Sequence, residues 1–270
     1  IDKVRENAVV KKVLSFFDGN LYPLIYAFLT LVCSFTGVEL VFYALTAIVV
    51  VFTTIFCRNT NSLMAPLVMA VYAVSQRHTP QPPYNSDYLY RPYVLGTLGG
   101  LFALVFAAFL FRLIAYKGSA NVFRTRTKTR AGLFAMAAVL ILNGIFFSGY
   151  TIANLLLGIV LAFSFVFFYI YFYNTLEWTE DTAKYAARVL VLASAVILIQ
   201  FLELLIFDDP QNKAQLILGW GMSNNIGGML AMFMPASFYL AYKSKYGPAY
   251  YIFGLLVFVG VVRSLSRTSA

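Results

Sequence analysis

Hydrophobic residues in this chain gather into long runs, and short polar stretches separate each run from the next. A helix needs roughly 20 apolar residues to cross the hydrocarbon core of a bilayer. The pattern therefore predicts about nine membrane-crossing helices, of which the third is short for a crossing. They lie at 21–37, 38–57, 61–76, 94–115, 131–149, 150–174, 189–207, 224–242 and 250–267.

Short turns join several of these runs into predicted hairpins. A turn at 36–38 joins the first and second runs, and a turn at 148–150 joins the fifth and sixth. The basic turn at 243–248 joins the last two, which are expected to pack as an antiparallel pair. The predicted fold class is all-α, a polytopic transmembrane helical bundle.

Composition supports a membrane protein independently of that pattern. Hydrophobic residues make up 61% of the 270 residues, whereas charged residues make up only 11%. A soluble domain carries about 25% charged residues. Composition therefore excludes an ordinary soluble domain.

The distribution of Lys and Arg predicts a cytoplasmic N-terminus. All but a few of the 20 basic residues fall on the same side of the predicted bundle as the chain start, and cytoplasmic loops are enriched in such residues. The net charge of +9 thus reflects topology, and no nucleic-acid partner is expected. The basic residues on the predicted outer side are Arg77, Arg91, Lys213, Arg263 and Arg267.

Two regions follow from these patterns. Residues 1–20 mix basic and apolar positions at helical spacing, which predicts an amphipathic segment along the cytoplasmic membrane surface. Residues 21–270 form the predicted transmembrane domain. Because the chain opens at Ile1 and stops at Ala270 within or just after an apolar run, we expect it to be the N-terminal portion of a longer protein.

Cys33 and Cys57 differ too much in predicted depth to pair, so both are expected to be packing residues.

A glycine- and asparagine-rich stretch and an arginine-containing end are the most distinctive motifs. Residues 219–242 read GWGMSNNIGGMLAMFMPASFYLAY, and residues 263–270 read RSLSRTSA. The two stretches resemble the O-antigen ligase and polysaccharide polymerase family, integral membrane glycosyltransferases of bacterial envelopes. In that family a Gly-rich turn with Asn opens a proline-containing membrane helix, and the next helix ends in a Ser-Arg-small signature. The matching residues are Gly219, Gly221, Asn224, Asn225, Pro235 and Ser266-Arg267-Thr268-Ser269.

The resemblance implies glycan transfer at the outer face of the bacterial inner membrane. A sugar chain would pass from an undecaprenyl-pyrophosphate carrier to an acceptor glycan or lipid, as in lipopolysaccharide or capsule synthesis. Such proteins use no metal, nucleotide sugar or other cofactor, and ligase and polymerase remain open alternatives. The family's base and second arginine usually lie in a large external loop that would follow Ala270.

Helix geometry gives these motifs a physical meaning. Asn224 and Arg267 each lie about 20 residues from the basic turn, roughly 30 Å of helix, so both are expected at the outer face. Arg267 would stabilise the departing pyrophosphate, with Arg263 one turn below it and the positive end of the helix dipole nearby. Glu203 is the candidate base within this chain. The predicted substrate-binding residues are Arg263, Ser266, Asn224, Asn225 and Gly221.

Structural explanations compete with these roles. Arg267 would also serve as an interfacial anchor, Asn224 and Asn225 as helix caps, and Pro235 as a packing kink. Glu203 would either face a polar cavity with Gln200 or pair with an arginine.

Other polar residues on the predicted outer side carry weaker expectations. The tyrosine-rich loop at 78–93 has a composition able to stack on sugar rings, although tyrosine belts are common at membrane interfaces. Glu39, Asp208 and Asp209 are expected to be solvated.

Two other classes of function compete with glycan transfer. A secondary transporter or flippase would also use interior arginines to hold an anionic or lipid-linked substrate, but transporters usually show repeated halves and broken helices at mid-membrane. A structural membrane subunit would leave Arg263, Arg267 and Glu203 unexplained. The clustering of polar residues at one face favours surface chemistry over transport.

Overall fold

The computed structural model describes the chain outside residues 1–6, 58, 76–90, 116–128, 147–151, 177–178, 209, 211 and 265–270. The described residues are mostly helical, which confirms the all-α expectation. Each of the predicted apolar runs overlaps a helix of the described residues. The sequence pattern therefore located the helices, with shifts of a few residues at their ends.

Ten α-helices, two 3₁₀ turns and one small β-hairpin make up the described part of the chain. The 3₁₀ turns are Thr60–Leu63 and Lys213–Gln215, and the strands are β1 (Ile217–Leu218) and β2 (Gly221–Met222). The helices are α1 (Ala8–Phe17), α2 (Leu21–Thr36), α3 (Glu39–Phe56), α4 (Met64–Tyr72), α5 (Pro92–Ala115), α6 (Thr129–Phe146), α7 (Ile152–Thr175), α8 (Glu180–Phe207), α9 (Ser223–Lys243) and α10 (Gly247–Arg263).

Three helices of the described chain, α3, α5 and α8, are long and apolar enough to cross a membrane. Helices α1 and α2 would add a fourth crossing if the pair, bent by 61°, acts as one span. Outward faces of other helices are also apolar: on α10, Leu255 is 60% exposed and Val259 55%. Such surfaces are typical of contact with lipid. The chain thus has three to four candidate spans, and the count of nine stays a prediction.

Contacts divide the chain into two units. One unit is Ile1–Ala108 with Glu177–Ala270, and the other is Phe109–Leu176. This division follows packing and differs from the predicted boundary at residue 20, which concerned location at the membrane surface.

Helix α8 is the centre of the larger unit, where it packs against α2, α4 and α9. Aliphatic and aromatic side chains from these helices form one continuous core. Burial of such side chains is the main favourable term in packing the helices together wherever the alternative is water. Core side chains with less than 2% exposure include Met69, Ile197, Phe201, Ile226 and Leu230.

The smaller unit consists of the paired helices α6 and α7 together with the last residues of α5. Gly158 lets the two hairpin helices approach closely, because a Cβ there would lie 2.8 Å from the carbonyl oxygen of Leu140. Aromatic rings also pack in this unit: Phe109 of α5 stacks on the fully buried Tyr171 of α7, with ring centroids 4.6 Å apart. Close helix contact in this unit therefore depends on a small residue and on stacked rings.

The predicted turn at 36–38 is present, but it buries a residue that was expected to be solvated. Gly37 ends α2 in the left-handed region (φ 77°), and its N–H bonds to the carbonyl of Cys33. This conformation suits glycine because it has no Cβ. The tight turn folds the first residue of α3 back onto α2, so Glu39 is only 1% exposed. The expectation of a solvated Glu39 was wrong.

Both cysteines are buried, and neither forms a disulfide, as predicted.

Helices α9 and α10 form the predicted antiparallel hairpin. A Cβ on Gly254 would meet Phe238 near the connecting turn, and one on Gly260 would meet Leu230 further along. The order of these contacts fixes the opposite directions of the two helices.

Candidate functional site

A β-hairpin precedes α9, where the sequence had predicted only a glycine-rich helix start. Strands β1 and β2 pair antiparallel, with Ile217 opposite Met222 and Leu218 opposite Gly221. Gly219 and Trp220 form the two-residue turn between them. The strands therefore hold the stretch before α9 in one fixed conformation.

Gln200 of α8 ties this turn to the end of α4. Its Nε2 donates a hydrogen bond to the carbonyl oxygen of Tyr72 at 2.8 Å, and Trp220 Nε1 donates to its Oε1 at 2.9 Å. The rings of Tyr72 and Trp220 meet edge to face with centroids 4.8 Å apart. Since Gln200 is 1% exposed, its amide serves as a buried structural link. Tyr72 and Trp220 thus engage both ends of the amide, and the two alternatives for Glu203, a polar cavity or an arginine partner, stay predictions.

Gly219 is required by the close approach of two backbone segments. A Cβ at this position would lie 2.5 Å from the carbonyl oxygen of Ser75 and would also overlap the carbonyl oxygen of Val74. Ser75 is held in turn, because its Oγ donates to the carbonyl of Ser34 at 2.7 Å. The turn thus packs against a segment that α2 also fixes.

Gly221, a predicted substrate-binding residue, lies in β2. A Cβ at Gly221 would approach the Cβ of Asn225 to 2.7 Å, so the space beside this glycine is occupied by a side chain of the same segment. Close approach of chain to chain therefore accounts for Gly221. Its role in binding a substrate stays a prediction.

Asn224 and Asn225 are exposed in the first turn of α9. The helix begins at Ser223, and its N-cap is Met222, whose side chain makes no capping hydrogen bond. Neither asparagine therefore occupies the N-cap position, and their contact with a ligand stays a prediction. Both residues lie at the positive end of the helix dipole.

The packing of α8, α9 and α10 sets the relative levels of the predicted site residues. A Cβ on Gly260 would meet Leu198 and Leu230, so these three positions share one level. At 1.5 Å per residue, Arg263 lies about 4.5 Å beyond that level, and Glu203 and Asn225 about 7.5 Å beyond it in the same direction.

Glu203, Arg263 and the first turn of α9 therefore lie at one end of the unit, within about one helical turn of each other in height. We call this the hairpin end, because it also carries the β1–β2 hairpin. Arg263 is exposed, and Glu203 is half-buried. These residues come from three helices. The sequence alone predicted that α9 and α10 lie side by side, but it did not predict that α8 packs beside them.

Several other predicted residues lie outside the described part of the chain. These include Ser266 and Arg267, the two candidates nearest the end, and most of the tyrosine-rich loop at 78–93. Pro235 lies inside α9, which continues through it as one helix. Trp220 is the residue that sequence analysis missed, although a lone tryptophan between two glycines is a recognisable sign of a packed turn.

A second polar site lies at the opposite end of the same unit. Glu180 Oε1 accepts from Lys243 Nζ at 3.1 Å and from Lys184 Nζ at 3.2 Å, which links the start of α8 to the end of α9. Arg188 donates to Oδ1 of Asn20 at the start of α2. We call this the basic end. The basic end therefore brings together basic residues that the sequence analysis had used only to predict the membrane topology.

In comparisons with known proteins, no family model, no curated protein and no solved structure matches this chain. The assignment of function therefore depends on the residues of this chain and on their geometry.

Proposed function

We propose that this chain is the N-terminal part of a bacterial inner-membrane glycosyltransferase. Its donor would be an undecaprenyl-pyrophosphate-linked glycan, and its acceptor another glycan or a lipid at the outer face. The proposal includes the predicted topology of nine crossings with a cytoplasmic N-terminus, which puts the hairpin end outside.

One observation carries the proposal, the common level of Glu203, Arg263 and the first turn of α9 with Asn224 and Asn225. The guanidinium and the helix N-terminus suit an anionic group such as pyrophosphate. A carboxylate at the same level suits proton abstraction from an acceptor hydroxyl. Acid, cation and amide donors thus lie at similar heights, at the end where lipid-linked sugars would meet water.

The chemistry requires charge to be stabilised on the leaving group. The bond between the sugar's anomeric carbon and the pyrophosphate breaks, and the electron pair leaves with the pyrophosphate. The acceptor oxygen bonds to the anomeric carbon, and its proton passes to the base. Fixed cations beside the departing oxygen lower the barrier because they stabilise charge that grows in the transition state. Arg267 is proposed for this role, with Glu203 as the base within this chain.

Topology is tested by labelling residues 116–130, which are expected to be cytoplasmic. A cysteine introduced by Ser119→Cys in the full-length protein is expected to resist a membrane-impermeant maleimide in intact spheroplasts and to react after lysis. The native Cys33 and Cys57 are buried, so their background labelling is low. Labelling of Ser119→Cys from outside would reverse the whole topology.

Transfer itself is tested in cells that lack the full-length protein. We expect loss of the elongated or ligated glycan and accumulation of the undecaprenyl-pyrophosphate-linked donor, with both restored by re-expression. The donor is expected at the outer leaflet, where impermeant periodate oxidises its sugars in spheroplasts. A donor that accumulates but is protected from periodate would assign the protein to the flippase class instead.

A further inference from the structure

A groove of about 700 Å³ opens at the basic end, between the starts of α2, α8 and α10 and the end of α9. Its cationic side is formed by Lys184, Arg188, Lys243 and Lys245. All of the lining residues belong to the larger unit, and they come from three separate parts of the chain. The groove lies at the far end of α8 and α9 from Glu203, Arg263 and the β-hairpin.

The groove retains positive charge after its internal ion pairs are counted. Glu180 offsets one of the four cations, through its contacts with Lys184 and Lys243. Arg188 bonds to the neutral amide of Asn20, and Lys245 lies over the ring of Tyr246, 5.0 Å from its centroid. Neither contact cancels charge.

Lys243 follows the end of the predicted span 224–242, and its pKa is raised because it hydrogen-bonds to Glu180. It therefore stays protonated at neutral pH, and the groove keeps a surplus of positive charge.

The other side of the groove is apolar. Leu24 of α2, Leu192 of α8 and Tyr250 of α10 line it below the cations. The same helices carry predicted membrane spans, and Arg188 directly precedes the span 189–207. With the span at 189–207 as predicted, the cations would lie at the level where phospholipid headgroups meet hydrocarbon, and the apolar wall would run into the membrane.

We propose that this groove binds an anionic phospholipid, with its phosphate among Arg188, Lys243 and Lys245 and an acyl chain along the apolar wall. Free phosphate shares the headgroup chemistry, but it would leave the apolar wall without a partner. Basic pockets between membrane helices at headgroup level are suited to anionic lipids. The site is distinct from the proposed glycan site, because the two lie at opposite ends of the same helices.

The experiment compares lipids and variants on the purified full-length protein. Binding of phosphatidylglycerol and of phosphatidylcholine with identical acyl chains is measured by native mass spectrometry and by the shift of the thermal midpoint. We expect phosphatidylglycerol to bind preferentially and to raise the midpoint. The double variant Arg188→Gln, Lys245→Gln is expected to bind it about tenfold more weakly, since each basic residue contributes to anionic-lipid binding.

The matched control is Lys11→Gln, Lys12→Gln on α1. It removes the same charge from exposed residues outside the groove, and we expect wild-type binding. Arg188→Lys is expected to retain most of the binding, which separates lost charge from lost folding. Equal loss in the two double variants would mean a non-specific charge effect and overturn the site. An equal midpoint shift from inorganic phosphate at the same concentration would overturn the lipid as the ligand.

Discussion

Replacing Arg267 by lysine in the full-length protein is expected to abolish glycan transfer and leave membrane insertion intact. A planar guanidinium binds two phosphate oxygens at once, whereas an ammonium is a point charge that cannot reproduce that fork. Loss of one charge-assisted contact to the leaving group costs about 3 kcal/mol of transition-state stabilisation, on the order of a hundredfold in rate. Arg267→Ala is expected to lose at least as much.

The measurement is glycan chain length or attachment in cells that depend on the variant, at matched expression. Arg91→Lys is the matched control, because Arg91 is an exposed arginine on the predicted outer side and outside the motif. It should give wild-type product. If Arg267 is only an interfacial anchor, lysine will serve as well, since anchoring needs only a long cationic side chain. Wild-type product from Arg267→Lys would therefore remove Arg267 from the catalytic role.

Gly219→Ala is expected to destabilise the hairpin end. The new Cβ would overlap the carbonyl oxygens of Val74 and Ser75, and these are backbone atoms that Ser34 helps to fix. Overpacking of this kind costs about 1–3 kcal/mol. In detergent we expect the thermal midpoint to fall by on the order of 5 °C.

Gly228→Ala provides the matched control on the same segment. A Cβ on Gly228 would meet nothing within 4 Å, and the residue lies inside α9. Alanine favours a helix interior over glycine by about 0.5–1 kcal/mol, so this variant should be slightly more stable. Equal midpoints for the two variants would show that the turn does not pack against residues 74–75 as described.

The glycan proposal and the packing of the turn are linked but separable. Gly219→Ala changes the support of the segment that leads into α9, whereas Arg267→Lys keeps the positive charge and changes only the geometry of the cation. If Gly219→Ala lowers both the midpoint and transfer, the turn positions Asn224 and Asn225 for activity. If it lowers the midpoint alone, the turn serves stability and the activity depends on other residues.

Local features were readable from the sequence because each depends on neighbouring residues. Apolar runs of helix length located the helices, and the turn predicted at 36–38 is present, where Gly37 ends α2. The short basic turn near 245 gave the antiparallel pairing of α9 and α10, because a short connection leaves two helices side by side. These properties follow from spacing along the chain.

Features that join distant parts of the chain were decided by the tertiary structure. Gln200 and Trp220 both have hydrogen-bonding groups and lie near the ends of predicted spans. Only the packing shows that Trp220 donates to Gln200 and that Gln200 donates to Tyr72. Glu39 looked solvated in the sequence, yet the turn before it folds it into the interior. Spacing cannot specify such contacts, because they depend on which helix faces which.

The sequence by itself determined an apolar, mostly helical chain with candidate membrane-spanning helices, and it placed a cluster of candidate residues near the start of α9 and the end of α10. Only the tertiary structure brought Glu203 to their level, because the contact of Gly260 with Leu198 sets α8 against α10. It also gathered Arg188 of α8 into one groove with Lys243 and Lys245, which lie more than fifty residues further along the chain. The physical reason is that helix formation depends on local periodicity, whereas a binding site depends on helix packing, which is decided by side-chain shape between distant segments.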